Sequence, residues 1–150
     1  MTIEELHELE NKEQARQASL ENRIHCCTAA GCLSCGAESV RLAIGEEIEK
    51  RGLGERVEVC GTGCMGMCSR GPLVLASGPG KLYGGLTAAD APAVLDASRS
   101  LAAHEIDRNG PFFTRQQRIV LAGSGRVDPE KLADYIGAAA IARSRRRSRK

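Results

Sequence analysis

Seven cysteines, at positions 26, 27, 32, 35, 60, 64 and 68, constrain this chain more than any other feature. An odd number argues against a closed disulfide framework. The opening residues, MTIEELHELENKEQ, have neither the basic and apolar regions of a secretory signal nor the Arg-rich, acid-poor character of a transit peptide. The expectation is a cytoplasmic, reducing setting in which thiolates serve as metal or cluster ligands. With no Trp, two Tyr and two Phe, any core is built from Ala, Val, Leu and Ile. A length of 150 residues suits one domain with a modest extension and excludes a large catalytic flavoprotein.

The formal net charge of +2 hides a segregation. Arg143, Arg145, Arg146, Arg147, Arg149 and Lys150 supply six positive charges in the last eight residues, so residues 1–142 carry +2 − 6 = −4. The body is acidic and the tail basic. Such a tail suits a disordered end better than a nucleic-acid site, and no apolar run approaches the length of a membrane span.

Ile3 to Leu20 is polar and rich in helix formers, which predicts a helix resting on the domain or on a partner. NRIHC, from Asn22, predicts a strand running into the loop TAAGC. In AESVRLAIGEEIEK, Val40, Ala43, Ile44 and Ile48 mark one helical face from Ala37 to Lys50, closed by Gly52 and Gly54. Val57 and Val59 alternate with charged residues and deliver Cys60 into GTGCMGMCSRGP. Leu73–Ala76 and Lys81–Gly84 are strands about the turn Ser77-Gly78-Pro79-Gly80. Thr87 is a candidate N-cap for a helix running to His104.

The order β-α-β-β-α predicts an α/β fold: a small mixed sheet with helices on it, which fits a thioredoxin-like sandwich. Beyond it, EIDRNGP reads as a linker, PFFTRQQRIVL as a mixed segment, GSGR as a turn, and DPEKLADYIG as a short helix opened by Asp128 with Pro129 at its first position.

Four thiolates, two per iron, hold a [2Fe-2S] cluster. Cys27 and Cys32 (C-x4-C) with Cys64 and Cys68 (C-x3-C) form two loop pairs. Cys27, Cys32 and Cys35 with Cys64 give instead the plant-type ferredoxin spacing. Context favours Cys68, because Gly61, Gly63, Gly66 and Gly71 surround the second pair and let backbone amides approach its sulfurs.

The strings RIHCCTAAGCLSCGAESV and VEVCGTGCMGMCSRGPLV resemble the thioredoxin-like [2Fe-2S] ferredoxin domain at the N-terminus of the flavoprotein (diaphorase) subunit of bidirectional NAD-reducing hydrogenases, relatives of the NADH-binding subunit of complex I. PFFTRQQRIVLAGSGRVDPEKLADYI resembles the opening of the FMN- and NADH-binding domain of that subunit. The resemblance implies Cys27, Cys32, Cys64 and Cys68 as cluster ligands, with Cys26, Cys35 and Cys60 as extras, and pairs Cys27 with Cys32 and Cys64 with Cys68. Arg70 and Gly71-Pro72 would close the second loop and set solvent access.

It also implies four segments: an N-terminal helix (1–21), the ferredoxin domain (22–103), a linker with the start of a truncated flavoprotein domain (104–137), and a basic, disordered tail (138–150). The partners implied are the flavoprotein and iron-sulfur subunits of a hydrogenase- or NADH dehydrogenase-like complex, or a second copy of the chain; nucleic acid is not expected. NADH oxidation is not assigned to the chain by itself, because the FMN and NADH sites would lie beyond it. Truncation and a stand-alone carrier both fit.

Other readings of these residues are blander. Zinc usually takes C-x2-C pairs, which these spacings fit poorly, yet a zinc-binding structural or nucleic-acid-interacting module is the alternative from another class. Cys32-Leu33-Ser34-Cys35 has the form of a redox dithiol, which a ligand role for Cys32 excludes. Cys26 and Cys60 suit packing positions at strand ends. His7, His25 and His104 are isolated; His25 stands near the cysteines, but one such His falls short of a Rieske pair. Met65 and Met67 flank Cys64, as an apolar cover or as packing. Gly61 and Gly63 do not make a dinucleotide fingerprint.

Overall fold

The computed structural model describes residues 2–96 and 101–138. Helix α1 (Ile3–Ser19) opens with a capping box between Thr2 and Glu5. Strand β1 (Asn22–Cys27) leads into a single turn, α2 (Ala30–Leu33), and then into α3 (Ala37–Lys50). Strands β2 (Val57–Thr62), β3 (Leu73–Ala76) and β4 (Lys81–Gly84) follow, then α4 (Ala91–Leu95), β5 (Glu105–Ile106) and α5 (Pro111–Thr114). Residues 132–138 are helical.

The sheet order is β2-β1-β3-β4-β5, with β1 and β2 parallel and every other neighbour antiparallel. The parallel pair is joined through α3, as a crossover requires. Alternation along β1 sends Ile24 and Cys26 to one face and Arg23, His25 and Cys27 to the other. The first face is apolar: Ile24, Cys26, Val74 and Tyr83 pack with Val40, Ile44 and Ile48 of α3 and Val94 of α4. Gly36, at φ +87°, turns the chain into α3.

The second face is closed by the C-terminal extension. Arg23 donates to both carboxylate oxygens of Asp134 at 2.8 and 2.9 Å and from Nε to Glu58 at 2.9 Å. Burial is the largest single influence and opposes the Arg23 charge, but the hydrogen bond it donates to Asp134 and the charges of Cys60, Asp134 and Glu58 together raise its pKa. The Gln17 amide of α1 donates to the same Asp134 oxygen at 2.9 Å, which ties α1 to the extension. Thr62 Oγ1 donates to Val127 O at 3.1 Å and accepts from Gly125 N–H at 2.7 Å.

Four differences from the sequence expectations are local. The helix predicted from Thr87 to His104 is a 3-10 turn (Ala88–Asp90) followed by α4, which ends at Leu95; Asp96 leaves helical geometry at ψ 58° and pairs with Arg51 at 2.6 Å. Residues 97–100 lie outside the described residues. Glu105–Ile106, expected in a linker, pairs with β4 as a fifth strand. The helix expected from Asp128 begins at residue 132, because Asp128 first closes a turn onto Glu130 N–H. The region predicted as the loop TAAGC holds α2. The basic tail, beyond residue 138, lies outside the described residues.

Candidate metal centre

Cys27 is the last residue of β1, and Cys32 lies on α2; both are fully buried. Their thiols hydrogen-bond to each other, and Leu73 N–H bonds to the Cys32 sulfur. Burial raises the Cys32 pKa, and the bond to Cys27 raises it further.

The second loop leaves β2 at Thr62 and holds Cys64 half-buried and Cys68 exposed, with Sγ atoms 3.6 Å apart. The hydrogen bond with Cys64 is the main cause that raises the Cys68 thiol, and the Cys27 charge acts on it from across the site. Gly66 donates its N–H to Cys64 Sγ at 3.4 Å from a backbone at φ +91°, a conformation glycine adopts without strain.

The two loops meet through glycine. A Cβ on Gly31 would lie 3.3 Å from Cys68 Cβ and 3.5 Å from its Sγ; one on Gly71 would lie 3.2 Å from Cys32 Sγ. Each loop thus presents a bare backbone to a cysteine of the other. Gly71 leads into Pro72 through a cis peptide. A side chain at either glycine would fill the space between the pairs.

All four sequence-predicted cysteines are brought together as two pairs. Among the described residues no three His, Cys, Asp or Glu side chains close round one point, as a single metal ion needs. A [2Fe-2S] cluster takes two thiolates for each iron.

The three remaining cysteines are placed differently. Cys26 is in the apolar core, where burial pushes its thiol up to about 12. Cys60 is buried on the other face, its Sγ 3.2 Å from His25 Nδ1, and burial again raises it to about 12. Burial, then Arg23, lowers His25 to about 4, so the ring is neutral. Cys35 is exposed beyond α2. Met65 belongs to the apolar cluster that also holds Cys27 and Cys32, and Met67 packs against that cluster, so both serve packing.

Sequence reasoning missed Arg118, whose Nη2 donates to Met65 O at 2.6 Å and whose guanidinium lies 5.6 Å from the Phe113 ring centre. It clamps the second loop from the extension. No spacing signal links residues 65 and 118, and only the fold brings them together.

Comparison with known proteins gives one answer. Residues 13–99 match the profile of the thioredoxin-like [2Fe-2S] ferredoxin family. The chain is 35% identical over 66 residues to the protein "Ferredoxin, 2Fe-2S" of Clostridium pasteurianum, over 44% of this chain and 65% of that protein's length. It thus spans just under two thirds of that relative. Its fold is similar to the thioredoxin-like [2Fe-2S] ferredoxin of Aquifex aeolicus, with a TM-score of 0.51 at 21% identity, over 57% of this chain and 96% of that one. A second structure of such a ferredoxin from the same organism gives 0.51 at 22% identity, over 57% and 90%. The chain belongs to the thioredoxin-like [2Fe-2S] ferredoxin family.

Proposed function

We propose that this protein is a one-electron carrier whose [2Fe-2S] cluster is held by Cys27 and Cys32 on one iron and Cys64 and Cys68 on the other. The observation that carries the reading is the convergence of two thiol pairs, one fully buried and one reaching the surface, with glycine wherever the two loops touch. The cluster supplies the redox chemistry, and the chain supplies ligation, burial and hydrogen bonds to sulfur. Leu73 N–H and Gly66 N–H point at ligand sulfurs, which stabilises the negative charge gained on reduction.

Electrons would pass to or from a flavin or cluster on a partner subunit of a hydrogenase- or NADH dehydrogenase-like complex. The likeness of residues 111–136 to the opening of a flavoprotein domain supports this finer reading, with residues 22–103 as the electron-carrying part. No helix among the described residues is long and apolar enough to cross a membrane.

Protein purified without oxygen should show visible charge-transfer absorption, two irons and two sulfides per chain, and one rhombic EPR signal after reduction. A colourless chain holding one zinc and no sulfide would sink the reading.

A further inference from the structure

The charges of the described residues are sorted by position. Arg16, Arg23, Arg41, Arg51 and Arg56 each meet a carboxylate at 2.6 to 2.8 Å. Arg70, Arg108, Arg115, Arg118 and Arg126 have no carboxylate partner among the described residues. Where these five hydrogen-bond through their guanidinium groups, the acceptor is a neutral backbone carbonyl: Gly80 O for Arg108, Met65 O for Arg118 and Ala122 O for Arg126.

The unpaired set runs from the second ligand loop, where Arg70 lies and Arg118 reaches Gly66, along a groove towards the β3–β4 turn, where Arg108 binds Gly80 O. Arg70 lies in the second ligand loop, two residues beyond Cys68. Arg108, Arg118 and Arg126 line a groove of about 490 Å³ together with Met65, the neighbour of Cys64. Residues 106–127 hold four arginines against one acid, Asp107, whose carboxylate accepts from Asn109 N–H. The helices carry the opposite sign: α1 has five Glu against Lys12 and Arg16, and α3 has four Glu against Arg41 and Lys50.

Among the described residues, five other arginines are paired with carboxylates and these five are not, although Arg118 also holds the second loop through Met65 O. Left unpaired, they repel one another and act on what lies outside. We propose that this basic face is the docking surface for an acidic redox protein, which it seats with its redox group over the Cys64–Cys68 loop.

This inference rests on the electron-carrier reading. In the docked pair one electron crosses between the partner's group and this chain's cluster; one is oxidised and the other reduced, and no bond or proton moves. Two ferric ions, two sulfides and four thiolates leave about two negative charges, fewer than the five positive charges of the basic face. Screening over roughly 8 to 10 Å lets the charges nearest the approach dominate, so the local patch decides which partner is attracted.

The test compares two variants of the full, cluster-loaded chain with the same net charge. Arg108→Glu with Arg126→Glu cuts the charge of the five-arginine patch from +5 to +3 − 2 = +1, and Lys12→Glu with Lys50→Glu changes α1 and the far end of α3. Oxidation of the reduced protein is timed with anionic ferricyanide and with cationic tris(phenanthroline)cobalt(III). At low ionic strength the patch variant should react with ferricyanide about tenfold more slowly than the helix variant and faster with the cobalt complex, and added salt should close the gap.

The redox-inert anion hexacyanochromate(III) should broaden the backbone amide signals of residues 108–126 more than those of α3. Equal rates in the two variants, or equal broadening at both places, would overturn the docking surface. A chain without visible absorption would instead fail at the earlier step, so the two failures are distinguishable.

Discussion

The two cysteine loops are built on opposite principles. The first places Cys27 at a strand end and Cys32 on a helical turn, both within an apolar cluster with Ala37, Leu73 and Leu82. The second, from Gly63 to Gly71, has one 3-10 turn, leaves Cys68 exposed, and is held from outside by Arg118 and at its base by Thr62. Packing fixes the first loop, and hydrogen bonds fix the second. In the proposed carrier the buried loop would anchor one iron and the exposed loop would bring the other near solvent.

The contrast breaks most sharply at the ligands themselves. Cys27→Ser and Cys32→Ser remove thiolates that no water can reach, and each should abolish the visible absorption. Cys68→Ser should yield a cluster that is lost or altered, because its place is open to solvent oxygen donors. Iron and sulfide per chain, with the visible spectrum, read the difference. An intact spectrum in the Cys32 variant would overturn the assignment of the buried pair.

Next comes the seam between the loops. Alanine at Gly71 would set a methyl 3.2 Å from Cys32 Sγ and 3.3 Å from Cys68 O. Overpacking of this kind costs about 1 to 3 kcal/mol. It should shorten the cluster's lifetime in air while leaving the apolar face intact, as measured by bleaching rate against thermal unfolding. Bleaching at the parent rate would mean that the loops yield without effort.

Thr62→Val tests the outer hold. The substitution leaves Gly125 N–H, now bonded at 2.7 Å, without its acceptor, and also removes the bond to Val127 O. A buried donor without a partner costs roughly 1 to 3 kcal/mol. Amide hydrogen exchange of residues 123–128 should rise, with that of α3 unchanged. Equal acceleration in both would show that the extension and the core open as one unit.

Much of this was readable from the chain. The spacing of Val40, Ile44 and Ile48 predicts α3 with its observed limits, and the Ser77–Gly80 turn predicts the hairpin of β3 and β4. Spacing leaves two ligand sets open, and the structure places Cys64 and Cys68 together across from Cys27 and Cys32. Strand β5 was illegible because two residues carry no periodicity, and a single turn such as α2 carries little more. The stop at Leu95 depends on Asp96, whose partner Arg51 lies on another helix. The closure of the second sheet face was hidden for the same reason: Arg23 with Asp134, Thr62 with Gly125 and Met65 with Arg118 are far apart in sequence. Local pattern foretells elements, and polar contacts across the fold need the fold.

The smallest expected effect is also the one that separates the two ligand sets compatible with the spacing. Cys35 follows α2, donates its N–H to Cys32 O at 3.0 Å, and exposes its side chain. If the exposed loop supplies its own pair, Cys35 holds no iron, and serine there should leave iron content and visible spectrum unchanged. The stability change should stay within about 0.5 kcal/mol, as at other exposed positions. If the first loop supplied three ligands in the plant-type manner, the same substitution would cost the cluster, and Cys68→Ser would spare it. The pair of variants therefore decides whether the second loop is a full half of the metal centre: the electron exit through Cys64 and Cys68 stands only if Cys35→Ser is silent and Cys68→Ser is not.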